Sequence, residues 1–365
     1  MTARVLHQFV PNFAAGDAIG VHSRLTQDAL RAAGWESEIF YDEAQAAVRR
    51  LGRHFSTWDR HVDGRDGDAW ILFQLSTGSR MTPFLLDQDV PFGVYFHNIT
   101  PPLFFERWEP GASENLRTAL GEMRRLAPSA RFAIANSAFS EGGLVDAGFS
   151  PTAVSPVLLD PKELAGTPNP RLLQRLQKET ADGGTRWLFI GRVAPNKCQH
   201  DVIAAFAAYR EVYDPRARLT LVGGRTSNVY YRSLELLADE LGVGGAVEFT
   251  DTISHEEKLA CYRAADVFVC LSEHEGFKVP AVESMHFGLP VVAYATTAVP
   301  ETVGEAGVLL PTKDPLVVAA AVDRVMTDAA LRASIVEAGR RRAEDFSLAR
   351  TSARLLDLLD GFVRT

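Results

Sequence analysis

The sequence is poor in several features that would each point to a particular class of protein. Among its 365 residues are only three cysteines, Cys198, Cys261 and Cys270. This odd number, in apolar or helical surroundings, favours buried free thiols in a reducing compartment over a disulfide framework. No apolar run approaches the roughly 18 to 20 residues needed to cross a bilayer, and the N-terminus lacks the layout of a signal peptide. These absences predict a cytoplasmic protein.

Positive charge is also scarce. The net charge is −8 at pH 7, and residues 1–160 contain arginine but no lysine. A nucleic-acid-binding protein would show a basic footprint, so this class is disfavoured, as is broad adhesion to anionic membranes. One helical stretch, residues 114–131, carries Arg124 and Arg125 beside apolar positions. Peripheral contact with the inner face of a membrane is therefore an alternative to an ordinary solvated helix face.

Short β-rich apolar runs alternate with helical patterns along most of the chain, and this alternation predicts parallel sheets built from βαβ units. A first series of runs comprises residues 4–9, 36–41, 69–75, 91–96 and 131–136. A second series comprises residues 187–191, 218–223, 246–250, 266–271, 290–295 and 307–310. The pattern indicates an α/β chain with two doubly wound, Rossmann-like domains.

A segment rich in proline and glycine, residues 155–184, separates the two series and marks a change of domain. We therefore predict an N-terminal domain over residues 1–160 and a C-terminal domain over residues 161–349. Doubly wound sheets bind ligands beyond the carboxyl ends of their strands, so we expect the active site in a cleft between the domains.

The stretch EHEGFKVPAVESMHFGLPVVAYA, residues 273–295, places Glu275 and Glu283 on either side of Pro280. Proline is tolerated only in the first turn of a helix, so one helix cannot contain both carboxylates. The stretch instead predicts a strand that ends before Glu275, a loop, and a short helix closed by Gly288. Both carboxylates would then lie close to the carboxyl end of one strand.

Amides near a helix N-terminus favour an anion such as a diphosphate, and the amides of Gly276, Phe277 and Lys278 lie there in this prediction. Carboxylates would repel a phosphate, but they accept hydrogen bonds from hydroxyl groups. The pattern therefore predicts a ligand with hydroxyl, phosphate and hydroxyl in succession, as in a nucleotide sugar. An alternative with equal standing is that Glu275 is a loop charge and Glu283 a solvated helix residue.

The loop GRVAPNK, residues 191–197, supports the ligand-binding interpretation. It places Arg192 and Lys197 just past a predicted parallel strand, where a diphosphate would lie. Either residue alone could be an ordinary surface cation. Their occurrence at a strand end equivalent to that of the glutamate loop favours an anion site.

At these residues the sequence resembles a known family. GRVAPNK, LVGG and the stretch VEFTDTISHEEKLACYRAADVFVCLSEHEGFKVPAVESMHFGLPVVA are similar to the retaining glycosyltransferases of the GT-B fold, family 4 type, over about residues 185–312. The N-terminal half is similar more loosely, at AAGDAIG (14–20), FHNITPP (96–102), IANSAFSEGGL (134–144) and SPVLLD. The resemblance implies two Rossmann-like domains facing each other, the first on the acceptor side and the second on the donor side, with a C-terminal helix, about residues 350–365, crossing back.

The resemblance also implies roles for individual residues. Glu283 would bind the ribose hydroxyls of the nucleotide and Glu275 a hydroxyl of the transferred sugar. Arg192 and Lys197 would bind the diphosphate and stabilise it as a leaving group. The remaining implied contacts are those of His97 with the donor sugar near the reacting carbon, of Gly16 with the diphosphate or acceptor, and of the amides of Gly276, Phe277 and Lys278 with the donor. Lys278 departs from the family pattern, in which many relatives carry a smaller residue.

The implied function is the transfer of a sugar, with retention, from a UDP- or GDP-linked donor to a hydroxyl of a saccharide, lipid-linked or natural-product acceptor, without a metal or cofactor. The alternatives are a sugar-nucleotide epimerase or phosphorylase of the same architecture, and a non-catalytic sugar-phosphate-binding protein. A nicotinamide-dependent oxidoreductase is disfavoured because residues 14–20 lack the dinucleotide spacing of glycines. The acidic pairs at 66–68 and 87–89 precede strands, so we interpret them as turns and not as metal sites.

Overall fold

The computed structural model describes residues 4–58 and 69–364. The chain divides into two compact units. Unit 1 comprises residues 1–103, 111–160 and 346–365, and unit 2 comprises residues 104–110 and 161–345. The chain thus passes into unit 2 after Asp160 and returns to unit 1 at Phe346, while the short segment 104–110 groups with unit 2. No pattern in the sequence predicts that residues 104–110 belong to unit 2.

Unit 1 is built on a seven-stranded parallel sheet with the strand order β3-β2-β1-β4-β5-β6-β7. Its strands are β1 (Val5–Phe13), β2 (Ile39–Ala44), β3 (Arg53–His54), β4 (Ala69–Leu75), β5 (Phe92–Phe96), β6 (Ala133–Ala135) and β7 (Thr152–Val154). Its helices are α1 (Ala18–Ala32), α2 (Met81–Leu86), α3 (Pro110–Leu126) and α4 (Ala138–Asp146), and α13 (Leu348–Arg364) joins them from the end of the chain. All five predicted runs of this half contain a strand. The two short edge strands β3 and β7 were not predicted.

The central strands of unit 1 are buried on both faces, which explains their nearly continuous apolar runs. Strand β1 pairs with β4 so that Phe9 lies beside Phe73. Phe9 and Phe73 pack in one apolar cluster, and Val10 and Phe13 pack in a second cluster with Ile39. Strand β1 is therefore fixed between two cores, and its carboxyl end positions the loop that leads into α1.

Unit 2 is built on a six-stranded parallel sheet with the order β10-β9-β8-β11-β12-β13. Its strands are β8 (Arg186–Ile190), β9 (Arg218–Val222), β10 (Val247–Phe249), β11 (Val267–Cys270), β12 (Val291–Tyr294) and β13 (Gly307–Leu310). Its helices are α5 (Pro170–Glu179), α6 (Gln199–Val212), α7 (Asn228–Glu240), α8 (His255–Ala264), α9 (Val279–His286), α10 (Val299–Val303), α11 (Pro315–Thr327) and α12 (Ala329–Asp345). All six predicted strands of this half are present.

The predicted succession of strand, loop and helix around the two glutamates is confirmed. Strand β11 ends at Cys270, and α9 begins at Val279 with Pro280 in its first turn. The helix closes at Gly288, which adopts a positive φ of 71°. The β-strand order places β11 beside β8, so the loops that follow these two strands emerge at the same edge of the sheet.

The loops that follow β8 and β9 approach each other closely at a pair of glycines. A Cβ atom on Gly223 would lie 2.0 Å from the carbonyl oxygen of Gly191, and Gly223 has a φ of +146°. No side chain fits at that distance, so only glycine allows these two loop backbones to touch. The contact fixes the start of the 191–197 loop.

Other sequence predictions concern residues away from this edge. The three cysteines are buried and free, as predicted. Asp66 and Asp68 lie outside the described residues, whereas Asp87 and Asp89 are exposed at the turn before β5. None of the helices within residues 4–58 and 69–364 has the length and apolar character needed to cross a membrane.

Candidate active site

Two loops of unit 2 are cross-linked at the carboxyl ends of β8 and β11. The Asn196 side chain donates a hydrogen bond to the carbonyl of His274 at 3.1 Å, and the Glu273 amide donates to the carbonyl of Asn196 at 3.0 Å. The Glu275 amide donates to Thr297 Oγ1 at 3.1 Å, which ties the same loop to the end of β12. These bonds hold the 191–197 and 271–278 loops as one surface.

Glu275 lies at the centre of this surface and is ion-paired with two lysines. Its Oε2 atom lies 2.6 Å from Lys197 Nζ, and its Oε1 atom lies 3.2 Å from Lys278 Nζ. All three side chains are largely buried, with exposed side-chain fractions of 8% for Glu275, 15% for Lys197 and 2% for Lys278. The group carries two positive charges and one negative charge, so it retains a net charge of about +1 for an anionic ligand.

The pKa values of this group follow from burial and from these contacts. Burial would raise the pKa of Glu275, but the adjacent Lys197 and Lys278 outweigh burial and lower it to about 2. Burial lowers the pKa of Lys197, although the attraction of Glu275 opposes the effect. Glu275 is therefore a carboxylate at neutral pH, and it can accept hydrogen bonds but cannot donate a proton.

The Lys278 side chain belongs to this ion-paired group, a position that the sequence did not predict. Its ammonium lies 4.6 Å from the ring centre of Phe189 and 5.8 Å from that of Phe268, and it donates to the carbonyl of Ile190 at 3.5 Å. Lys278 also adopts a left-handed backbone conformation with a φ of 80°, which costs a residue with a side chain roughly 1–2 kcal/mol. With this backbone conformation the Lys278 ammonium lies 3.2 Å from Glu275 Oε1.

Arg192 provides a further positive charge near this group. Its side chain is exposed, and its charge lowers the pKa of Lys197. Among the described residues, the Arg192 guanidinium makes no hydrogen bond or ion pair. It is therefore available to an anionic ligand.

Glu283 belongs to a separate set of contacts on α9. Its Oε2 atom accepts a hydrogen bond from Tyr262 at 2.6 Å, and its Oε1 atom lies 3.2 Å from Lys258 Nζ. Lys258 also lies 3.0 Å from Glu163, in the segment between the two sheets. Glu283 is 7% exposed, so it is not the solvated helix residue of the alternative interpretation.

Tyr262 and Lys258 were not among the predicted site residues. They lie four residues apart on α8, a spacing that places both on one helix face. That spacing could have indicated that the two side chains act together. Only the tertiary packing of α8 against α9 shows that Glu283 is their partner. Tyr262 is fully buried, and burial together with Glu283 raises its pKa well above the ordinary value.

Two predicted site residues, His97 and Gly16, lie in unit 1. His97 follows β5, and its Nε2 atom lies 2.7 Å from Gln74 Oε1. Burial lowers the pKa of His97 to about 3. Gly16 precedes the Asp17 N-cap of α1, and a Cβ atom built on it would meet nothing within 4 Å. The open space at Gly16 suits close approach by a ligand, but its role stays a prediction.

One group of side chains in the described residues has the spacing of metal ligands. Cys198, His200 and Asp201 at the start of α6 present ligand atoms within 4.8 Å of one another. The Lys313 ammonium already lies 2.5 Å from Asp201 and 2.5 Å from Glu273. A divalent cation would have to compete with this resident positive charge.

Part of the chain is similar to a known protein family. Residues 173–342 match the model of the family described as glycosyl transferases group 1, and the match lies within unit 2. Over these residues the chain is similar to the glycosyl transferases group 1 family. The matched region contains all seven predicted site residues of unit 2, namely Arg192, Lys197, Glu275, Gly276, Phe277, Lys278 and Glu283.

Relatives of known name match the chain over about half its length. The D-inositol 3-phosphate glycosyltransferase of Salinispora arenicola is 38% identical over 180 residues, 47% of this chain and 40% of that protein. The protein of the same name from Geodermatophilus obscurus is 34% identical over 244 residues, 64% of this chain and 52% of that protein. The chain thus spans about half the length of these relatives.

Solved structures resemble the chain over nearly its whole length. Anabaena HepE in complex with UDP-glucose matches 98% of this chain and 100% of its own, with a TM-score of 0.77 and 18% identity. Sucrose-phosphate synthase from Thermosynechococcus elongatus matches 98% of this chain and 99% of its own, with a TM-score of 0.74 and 21% identity. These similarities, at low identity, show that the chain has the GT-B fold.

Proposed function

We propose that the chain is a retaining glycosyltransferase that transfers a sugar from a nucleotide diphosphate sugar to a hydroxyl acceptor. The observation that carries the proposal is the buried group of Lys197, Glu275 and Lys278. Arg192 lies near enough to lower the pKa of Lys197, and its guanidinium has no partner within the part of the chain that the structure describes. Its positive charge would bind the diphosphate, and its carboxylate would accept a hydrogen bond from a sugar hydroxyl. The similarity of residues 173–342 to the glycosyl transferases group 1 family supports the same reaction.

In the proposed reaction, the bond between the anomeric carbon and the diphosphate oxygen breaks, and its electron pair stays with the diphosphate. The acceptor oxygen forms the new bond on the face that the diphosphate leaves, and its proton passes to a phosphate oxygen. Lys197 and Arg192 would stabilise the negative charge that develops on the leaving group. Glu275, with a pKa of about 2, would orient the sugar and would not supply a proton.

Glu283 would bind the nucleotide ribose. Its carboxylate is already held by Tyr262 and Lys258, so its position is set before the ligand arrives. Each carboxylate oxygen has two lone pairs and uses one in these contacts, which leaves acceptor capacity for ribose hydroxyls. The cations at the diphosphate would also make a divalent metal unnecessary.

Substrates to test first come from the related proteins. HepE is described in complex with UDP-glucose, and the matching relatives are named D-inositol 3-phosphate glycosyltransferases. UDP- and GDP-linked hexoses are therefore the first donors, and inositol phosphates and simple saccharides are the first acceptors. The nine-tenths burial of Glu275 favours a donor sugar with a free hydroxyl over a deoxy sugar.

The test is the release of nucleoside diphosphate from a panel of UDP, GDP and ADP sugars, with and without acceptor and chelator. Wild type should consume one donor in the presence of chelator, and Glu275→Gln should not. Glu273→Gln is the matched control, because Glu273 lies two residues away and pairs with Lys313 instead. An isomerised sugar nucleotide without release would indicate an epimerase, and a phosphate-dependent sugar phosphate would indicate a phosphorylase. Either result would overturn the proposal.

A further inference from the structure

A chain of buried polar side chains crosses the sheet of unit 1 and ends at His97. Gln8 lies on β1 and Gln74 on the adjacent strand β4, and both are fully buried. Gln8 Nε2 lies 2.9 Å from the carbonyl of Ser23, Gln74 Nε2 lies 2.8 Å from Gln8 Oε1, and His97 Nε2 lies 2.7 Å from Gln74 Oε1. Buried glutamines in an apolar core are costly unless they are paired. The hydrogen bonds that link Gln8 through Gln74 to His97 therefore call for an explanation.

The direction of every hydrogen bond in this chain follows from its first member. The carbonyl oxygen of Ser23 can only accept, so Gln8 must turn its amide nitrogen toward it. Gln8 Oε1 then faces Gln74 and must accept, so Gln74 also presents its nitrogen to Gln8 and its oxygen to His97. Turning both amides around would place Gln8 Oε1 against the Ser23 oxygen, two acceptors at hydrogen-bond distance.

The last bond in the chain defines the state of the histidine. Gln74 Oε1 is an acceptor, so His97 Nε2 must carry a hydrogen and donate it. In neutral imidazole only one nitrogen carries a hydrogen, so Nδ1 keeps its lone pair. Among the described residues His97 Nδ1 has no hydrogen-bond partner, and this atom is not fully buried.

We propose that Gln8 and Gln74 are positioning residues that hold His97 as the Nε2–H tautomer, so that Nδ1 accepts a hydrogen bond from a hydroxyl group of the substrate. A phosphate or carbonyl oxygen has no hydrogen to donate to Nδ1, whereas a sugar hydroxyl has one. The assignment of that hydroxyl to the transferred sugar rests on the proposed function. The assignment of the tautomer does not.

The surroundings of His97 keep it neutral. Burial lowers its pKa to about 3. The titratable groups that face it are His22 of α1, whose ring centre is 5.2 Å away, and Tyr95 of β5, at 4.8 Å. Burial, and secondarily His97, lower the pKa of His22, and burial raises that of Tyr95. At neutral pH His97 is therefore a hydrogen-bond acceptor and too weak a base to remove a proton from a hydroxyl.

The direct test is nitrogen NMR of the full chain with labelled histidine, in which the two ring nitrogens report the tautomer. The His97 signals are assigned by their loss in His97→Asn. We expect the Nε2–H form and no titration of His97 between about pH 5 and 8. A dominant Nδ1–H form, or a His97 pKa near its ordinary value, would overturn the proposal whether or not the protein turns over a sugar nucleotide.

Variants test the consequence for activity. In Gln74→Met, His97 loses its acceptor, so we expect a mixture of tautomers and a fall of about tenfold in kcat/KM, the equivalent of one hydrogen bond. In Gln74→Glu, the carboxylate favours the imidazolium form of His97, in which Nδ1 cannot accept a hydrogen bond. Activity of this variant should therefore fall as the pH is lowered and His97 becomes protonated. Gln8→Leu should also give mixed tautomers, and it provides the test of the positioning role if the Gln74 variants fail to fold.

Gln27→Met is the matched control. Gln27 is a buried glutamine on α1 that donates to the carbonyl of Ser37 at 3.0 Å, and no hydrogen bond connects it to His97. This variant should leave the tautomer and the pH profile unchanged. Activity in Gln74→Met equal to that in Gln27→Met would contradict the positioning role. A wild-type protein with the Nε2–H tautomer but no turnover would contradict the proposed function alone.

Discussion

Glu275→Gln should destabilise unit 2 at neutral pH because it removes the negative charge from a buried group with two positive charges. Gln and Glu have nearly the same shape, so packing is preserved and the change is electrostatic. The variant leaves the ammonium groups of Lys197 and Lys278 without their common counter-ion. Burying an uncompensated charge is among the costliest single changes in a protein.

The magnitude can be worked out in two ways. The pKa of Glu275 falls from 4.5 to about 2 in the folded protein. Each pH unit of difference corresponds to about 1.4 kcal/mol, so the ionised carboxylate contributes roughly 3 kcal/mol to the free energy of unfolding. Removal of one partner from a buried ion pair typically costs about 3–5 kcal/mol, which agrees.

The pH dependence follows from the sign of this shift. A carboxylate whose pKa is lower in the folded state stabilises the protein fully above its unfolded pKa of 4.5. That contribution is lost as the pH falls from about 4.5 toward 2. The difference between wild type and Glu275→Gln should therefore be roughly 3 kcal/mol at pH 7 and should shrink as the pH approaches 2.

The assay is urea unfolding followed by circular dichroism at several pH values, with hydrogen exchange of the β8 and β11 amides to isolate unit 2. Glu273→Gln is the matched control, because the Glu273 side chain is 41% exposed and its pair with Lys313 is worth at most about 1 kcal/mol. The reasoning would be refuted if Glu275→Gln lost no more stability than Glu273→Gln. A loss that stayed constant down to pH 2 would also refute it.

Two further predictions concern the same surface. Lys278→Met reduces the net charge of the buried group from +1 to zero, so we expect a free energy of unfolding in urea within about 1 kcal/mol of wild type. We also expect weaker binding of nucleoside diphosphates by calorimetry, and strong destabilisation would contradict the prediction. Gly223→Ala would place a Cβ atom 2.0 Å from the Gly191 carbonyl, so we expect a loss of about 2 kcal/mol or more in thermal unfolding, whereas Gly245→Ala, with nothing within 4 Å, should cost far less.

Much of the fold could be predicted from the sequence because its strands are apolar and regularly spaced. All eleven predicted runs contain a strand. The two strands that were missed, β3 and β7, are two and three residues long, too short to show a periodicity. The grouping of residues 104–110 with unit 2 depends on Trp108, whose ring packs against Tyr230 more than a hundred residues away. No local pattern carries that information.

The candidate site could be predicted in part. Residues that follow neighbouring parallel strands must share a sheet edge, so the proximity of Lys197 and Glu275 follows from the strand order. The position of the Lys278 side chain could not be predicted, since it depends on a left-handed backbone that the sequence does not signal and that accompanies its ion pair with Glu275. Tyr262 and Lys258 likewise come from a different helix and reach Glu283 only through tertiary packing.

The measurement that tests the central claim most directly is calorimetric binding of UDP and GDP in the presence of chelator, for wild type, Lys197→Met and Glu273→Gln. If the buried cations hold the diphosphate, wild type and Glu273→Gln should bind one of the two nucleotides alike, and Lys197→Met should bind it at least about tenfold more weakly, the effect of one charge-assisted contact. Equal binding by Lys197→Met, or no binding of either nucleotide by wild type, would contradict the account.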